Sequence, residues 1–156
     1  MVNKWKLILA EVFRHNSPLI IGCTESWLKD MHSDNVVRLA NYCVFRSDRT
    51  LNMRAGGACL HLHESLCPVL VQSSHNEYFN LIACDIFGDR PKSRRLRVCL
   101  VYMVPSIPLY LVHDVLGYLS QLIDSCNGRI VLCGDFNMNK IDWINDYVAG
   151  GKYEAF

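Results

Sequence analysis

Arg129-Ile130-Val131-Leu132-Cys133-Gly134-Asp135-Phe136-Asn137, followed by Ile141-Asp142-Trp143, is the stretch on which the fold turns. Ile130 to Cys133 is a short apolar run rich in β-branched residues, which predicts a strand covered on both faces. Gly134 lets the backbone turn. Asp135 and Asn137 then emerge at the C-terminal mouth of that strand. Residues i and i+2 of an extended segment point the same way, so a carboxylate and a carboxamide would aim into one pocket. The carboxylate can hold a hard cation or orient a water. The amide can donate to a developing negative charge. Taken alone, Gly-Asp-Phe-Asn is equally a turn after a strand, because all three residue types favour turns.

The frame around this stretch is globular. The chain has 156 residues, enough for one domain with a sizeable core. Hydrophobic residues make up 51% and charged residues 20%, which excludes a disordered composition. A net charge of +1 is too small to imply a polyanionic partner, so nucleic-acid contact would have to come from local basic clusters. The eight cysteines form no C-x-x-C pair, and most sit inside apolar runs. The N-terminal apolar stretch Leu7 to Ala10 is too short for a signal peptide and is followed by Glu11. No run is long enough to span a membrane. We expect reduced core thiols in an intracellular protein.

Read in order, residues 3 to 15 predict a helix, with Trp5, Ile8, Leu9, Val12 and Phe13 on one face. Asn16-Ser17-Pro18 ends it. Leu19 to Thr24 predicts a strand that runs straight onto Glu25, a second polar strand end. Further strands are expected at Tyr42 to Arg46, Ala58 to His63, Val69 to Gln72, Tyr78 to Phe87 and Leu96 to Val104. His61 and His63 alternate and share a face, which fits the polar side of a half-buried strand better than a metal pair. Gly88 to Arg97 predicts a hairpin loop, in which Arg94, Arg95 and Arg97 could touch phosphates. Tyr102 closes a third polar strand end. Leu111 to Cys126 predicts a helix with a stripe of Val112, Val115, Leu116, Leu119, Leu122 and Ile123, closed by Asn127-Gly128. The order of helix, strands in hairpins, helix and strand implies a mixed α/β sheet packed under helices.

Taken together, these motifs resemble the endonuclease/exonuclease/phosphatase (DNase I-like) family. The nearest likeness is to the endonuclease domain of non-LTR retrotransposon polyproteins. Ile20 to Leu28 resembles that family's "ITETWL". Asp48-Arg49 with Gly56 to Leu62 resembles "DR…GGVAIYV", and Val101 to Ser106 resembles "VYRPPS". Val131 to Asn137 resembles "VLLGDFN", with Ile141-Asp142-Trp143 as its sequel. Any one match is weak, but the ordered set spans nearly the whole chain.

The resemblance implies a four-layer α/β-β/α sandwich over residues 1–156 as a single domain, incomplete at both ends. It implies a divalent metal, Mg²⁺ or Mn²⁺, held by Glu25, with Tyr102 donating to the scissile phosphate. Asp135 would orient the attacking water and Asn137 would bind the phosphate. The implied reaction is hydrolysis of a DNA phosphodiester, and a nuclear location follows from the resemblance alone. The family's opening strand with its Asn, and its later Asp and catalytic His, have no counterpart here, so we expect an impaired enzyme. Two alternatives stay open at this point. One is a phosphatase acting on a phosphorylated lipid or sugar. The other is a non-catalytic nucleic-acid-binding remnant using Arg90 to Arg97.

Overall fold

The computed structural model describes residues 18–50, 55–87 and 95–138, the helical residues Leu7, Ala10, Glu11, Phe13 and Arg14, and the backbone of 141–142 and 147–148. The expected loop residues 88–94, Arg94 among them, lie outside the described residues, as does Trp143.

Seven strands form two sheets. The first has the order β1-β3-β2, built from β1 (Ile20–Thr24), β2 (Tyr42–Ser47) and β3 (Ala58–His63), all antiparallel. The second has the order β4-β5-β6-β7, built from β4 (Val69–His75), β5 (Phe79–Ile86), β6 (Leu96–Met103) and β7 (Arg129–Asp135). In it β7 is parallel to β6 and the other pairings are antiparallel. The crossover between β6 and β7 is the helix α1 (Leu109–Asp124), as a parallel connection requires. A two-residue pair, β8 (Ile141–Asp142) with β9 (Tyr147–Val148), follows. No helix among the described residues is long and apolar enough to cross a membrane.

The layers follow from strand alternation. Leu60 and Leu62 of β3 meet Ile82, Cys84, Val98 and Leu100 of β5 and β6 to form the core between the sheets. The opposite faces of β5 and β6 carry Leu81, Ala83, Cys99, Val101 and Met103, which pack under Val112, Val115, Leu119 and Leu122 of α1. Those helix positions are four of the six in the stripe read from the sequence; the other two, Leu116 and Ile123, flank the buried face and are 39% and 52% exposed. The outer face of the first sheet is covered by Leu28, Val37 and Leu39, and the ring of Phe13 meets that of Tyr42 at 6.0 Å.

One side of the sandwich is stitched shut. Ser47 Oγ donates to the Ser74 carbonyl at 2.9 Å, and Ser73 Oγ donates to the Arg46 carbonyl at 3.0 Å, joining β2 to β4. On the other side β1 lies against β7, whose residues stay partly or largely exposed among the described residues. This corrects the expectation for β7. It is not covered on both faces: Val131 is 43% and Leu132 is 44% exposed. Its composition is that of a buried strand, but its place in the sheet order leaves it paired only with β6.

Two other expectations shift. His61 is fully buried in the middle strand of its sheet rather than on a half-buried face. Its Nε2 lies 2.8 Å from the Val37 carbonyl, and burial lowers its pKa. Three cysteines, Cys59, Cys84 and Cys99, are buried thiols, and burial pushes Cys99 up to about 11 and Cys84 up to about 12. The remaining five are partly or fully exposed.

Arg97 is the clearest correction. It is 2% exposed and directly faces Asp85 across the β5/β6 pairing. Its Nε and Nη2 donate to the two Asp85 carboxylate oxygens at 2.7 and 2.9 Å. Its Nη1 donates to the Leu122 carbonyl and to Ser125 Oγ, both at 2.7 Å, at the C-terminal end of α1. Arg95 Nη1 adds a third bond to Asp85 at 3.0 Å. Burial raises the Asp85 pKa, but the two guanidinium groups outweigh it and hold the carboxyl below its usual range. A guanidinium spent in this way does not reach a phosphate, so Arg97 leaves the list of nucleic-acid contacts. Arg97→Leu should cost roughly 3–5 kcal/mol by urea denaturation, because it leaves a buried carboxylate with the single bond from Arg95 and removes a donor from the Leu122 carbonyl. The double variant Asp85→Leu/Arg97→Leu should lose less than the single one, and equal losses would show that the pair is not what holds the site.

Candidate functional site

The polar strand ends converge. Across the second sheet, Asn80 of β5 pairs with Tyr102 of β6, and Tyr102 pairs with Asp135 of β7. Directly paired residues share a face. These three therefore form one polar row, continuing the apolar face of Ile82, Leu100 and Cys133 that packs on the first sheet. Glu25 comes to this row from the first sheet, one residue past the end of β1.

Local backbone constraints put Glu25 there. Glu25 and Trp27 have φ of 54° and 58°, the left-handed region that side chains rarely adopt. The turn they make is held by Ser26 N–H to the Gly57 carbonyl at 3.1 Å and Trp27 N–H to the Gly56 carbonyl at 3.0 Å. Gly56 and Gly57 have φ of 101° and 87°. A Cβ on Gly57 would stand 2.6 Å from Ser26 Oγ, so the turn needs glycine for space as well as for conformation.

The carboxylate of Glu25 takes three donors. Gly56 N–H and the Trp27 indole N–H each donate to Oε2 at 2.8 Å, and the Tyr102 hydroxyl donates to Oε1. Burial alone would raise the Glu25 pKa. The Gly56 amide, the two side-chain donors and the Arg49 charge together bring it below the usual glutamate value. Tyr102, 2% exposed, is pushed well above the usual tyrosine value by burial, by its bond to Glu25 and by the charges of Glu25 and Asp135. Its hydroxyl is therefore a proton-bearing donor at neutral pH.

Asp135 is exposed, and the Asn137 backbone N–H donates to its Oδ1 at 3.2 Å. Asn137, with φ of 50°, uses its side-chain Nδ2 to donate to the Met103 carbonyl at 2.6 Å. That bond ties the segment after β7 to the end of β6 and leaves one amide hydrogen for another acceptor. Arg95 is committed to Asp85, as described above. Asp48, from the Asp48-Arg49 motif, has its carboxylate held by Arg46 at 2.6 and 3.0 Å. A surface cleft of about 480 Å³ lined by Asp30, His32, Asp34, Arg46 and Asp48 includes none of the candidate residues.

Sequence reasoning missed Asn80. It is 2% exposed, and its Oδ1 accepts from Gly57 N–H at 2.9 Å. Its Nδ2 donates to the Ser47 carbonyl and Ser47 Oγ, both at 3.0 Å, and to the Asp48 carbonyl at 3.2 Å. The signal was present: β5 is apolar except at Asn80 and Asp85, and a polar residue within a buried strand must have partners.

A hard divalent cation fits this set. Glu25 supplies a carboxylate with about four acceptor positions, of which three are taken. Mg²⁺ is often held by one or two carboxylates, with water and phosphate completing its shell. Among the described residues, no three His, Cys, Asp or Glu side chains form a ready-made cage.

No protein-family model and no curated protein sequence matches the chain. Solved structures do. The chain is similar to the catalytic domain of human Nocturnin with bound sulfate, at a TM-score of 0.63 and 16% identity over 88% of this chain and 57% of that one. It is similar to the AP endonuclease LMAP from Leishmania major, at 0.61 and 15% over 96% and 54%. It is also similar to the catalytic domain of Xenopus laevis APE2, at 0.62 and 14% over 86% and 55%. The fold is therefore that of the DNase I-like endonuclease/exonuclease/phosphatase proteins, and the chain spans little more than half the length of these neighbours.

Two measurements test the geometry. Asn80→Ala should destabilise the chain by roughly 1–3 kcal/mol, since it leaves the buried Gly57 N–H without an acceptor. An unchanged denaturation midpoint would show that water replaces the amide. The second concerns acid. A carboxyl whose folded pKa lies below its unfolded value of about 4.3 contributes stability above that pH and loses it as pH falls through the folded pKa. Glu25→Gln lacks this titration, so its stability should fall less than that of the parent chain below about pH 4.3. Parallel acid profiles would contradict the assignment.

Proposed function

We propose that this chain carries part of a phosphodiester-hydrolysis site of the retroelement endonuclease type, acting on DNA with Mg²⁺ or Mn²⁺ and impaired in rate. The observation that carries the reading is the convergence of Glu25, Tyr102 and Asp135 from three strand ends on one face. The retroelement assignment draws its support from the ordered motifs, Trp27-Leu28 and Ile141-Asp142-Trp143 above all.

Each residue has a role that its surroundings allow. Glu25 would hold the divalent ion, which when bound supplies Lewis-acid stabilisation of phosphate charge. Asp135, exposed to solvent, accepts a proton from the attacking water, with its carboxylate oriented by the Asn137 N–H. Tyr102 keeps its proton and shares it between Glu25 and a phosphate oxygen, where negative charge grows during in-line attack. The remaining side-chain amide hydrogen of Asn137 is a second donor to that oxygen.

The impairment has a chemical source. None of the six histidines matches the one that the family places at the leaving oxygen: His61 is buried in β3 against the Val37 carbonyl, and His113 sits on α1, on the far side of the second sheet. Loss of one member of a catalytic unit costs on the order of 10³-fold or more in rate.

The test is nicking of supercoiled plasmid by the purified chain beside an Asp135→Ala variant. Slow, divalent-dependent nicking that falls at least about tenfold in the variant is the expected result. Equal rates in the two preparations would overturn the reading.

A further inference from the structure

Trp27 donates to Glu25, but neither that bond nor burial accounts for a half-exposed indole ring. Its neighbours Ser26 and Leu28 are 5% and 1% exposed, whereas Trp27 is 46% exposed. Its backbone lies in the left-handed region, at φ of 58°. That conformation costs a non-glycine residue roughly 1–2 kcal/mol, and burial of the ring does not repay it. The ring is nonetheless fixed in direction. Its backbone N–H is bonded to the Gly56 carbonyl and its indole N–H to Glu25 Oε2. The Arg49 guanidinium carbon stands 5.9 Å from the ring centroid, and Arg49 is itself anchored through its backbone N–H to the Leu28 carbonyl at 3.1 Å. The result is an oriented aromatic face and a cation, joined by one hydrogen bond to the carboxylate placed at the phosphate.

We propose that Trp27 is a stacking platform for the nucleobase next to the bound phosphodiester, with Arg49 supplying charge beside it. The inference rests on the phosphodiester reading and narrows its substrate class to base-bearing polymers, excluding phosphorylated lipids and simple sugar phosphates. The chemistry is general. Indole rings and guanidinium planes are the groups on which unstacked bases lie, and the interaction tolerates any base because every base has a π face. The position is specific. A base stacked on Trp27 places its own backbone phosphate within reach of the carboxylate to which the indole is bonded.

The test compares two fluorescently labelled ligands of equal length and charge by anisotropy, with Ca²⁺ in place of Mg²⁺ so that a hard divalent cation is present while turnover is suppressed. One is a short oligothymidylate. The other has the same backbone with every base replaced by a tetrahydrofuran abasic unit. The parent chain should bind the base-bearing oligomer about tenfold tighter. Trp27→Leu should bind both equally, at the abasic level, and Trp27→Phe should retain most of the preference. A parent chain that binds both oligomers equally overturns the platform while leaving the phosphodiester reading standing. The same holds if Trp27→Leu keeps the parent's preference. Failure of both oligomers to bind overturns both.

Discussion

A buried amide and a shared carboxylate hold the polar end of this sandwich together. Along most of their length the two sheets need nothing but apolar side chains, and Leu60, Leu62, Ile82 and Leu100 supply them. At the mouth the layers carry Asn80 and Tyr102 on one side and a turn full of backbone groups on the other. Asn80 satisfies the Gly57 amide and the Ser47 and Asp48 carbonyls at once. Glu25 satisfies the Gly56 amide while accepting from Tyr102 of the opposite sheet. An unpaired polar group in such a place costs about as much as a lost hydrogen bond, so the arrangement holds as a unit. The same bonds set the electrostatics of the candidate site. They keep Glu25 ionised and Tyr102 protonated, the states that the proposed chemistry uses.

Much of the fold was legible because strand and helix periods are local. The bounds of the strand at Ala58 to His63 follow from its apolar run, and the period of α1 marks the four residues that pack, Val112, Val115, Leu119 and Leu122. What was not legible was tertiary position. Val131 and Leu132 are the residues of a central strand, and only the sheet order among the described residues leaves β7 with one partner. Arg97 reads as one more charge at the end of a basic loop. In the sheet it faces Asp85, which lies in a different run of sequence. Periodicity carries no information on such a pairing. Asn80 was a softer failure, since a polar residue inside an apolar run announces that its partners must be found, though not which they are.

The site itself shows the same division. The polar strand ends were visible one at a time, as Glu25, Tyr102 and Asp135. Their convergence depends on two registers, β5 with β6 and β6 with β7, and on the approach of β1 from the other sheet. The positive φ at Glu25, Trp27 and Asn137 has no sequence signature either, as none of the three is glycine. Backbone held in so sparse a region persists only where surrounding bonds over-determine it. Here those bonds run to Gly56, Gly57 and Met103.

The distribution of support across the sandwich bears on how well such a site can work. The β2 and β4 side is joined by serine hydroxyls, whereas the β1 and β7 side leaves Leu19, Ile20, Val131 and Leu132 exposed. Glu25 follows β1, and Asp135 ends β7. The two carboxylates of the proposed mechanism thus stand at the ends of strands that, among the described residues, are each paired on one side only. Edge strands with few buried contacts open more readily than the core, and catalytic groups must be held to within about 0.5 Å. Tyr102, on a central strand, is fixed by packing on both faces. Glu25 is fixed by its three donors. Asp135 has one backbone amide and solvent, so it is the member whose position is least determined.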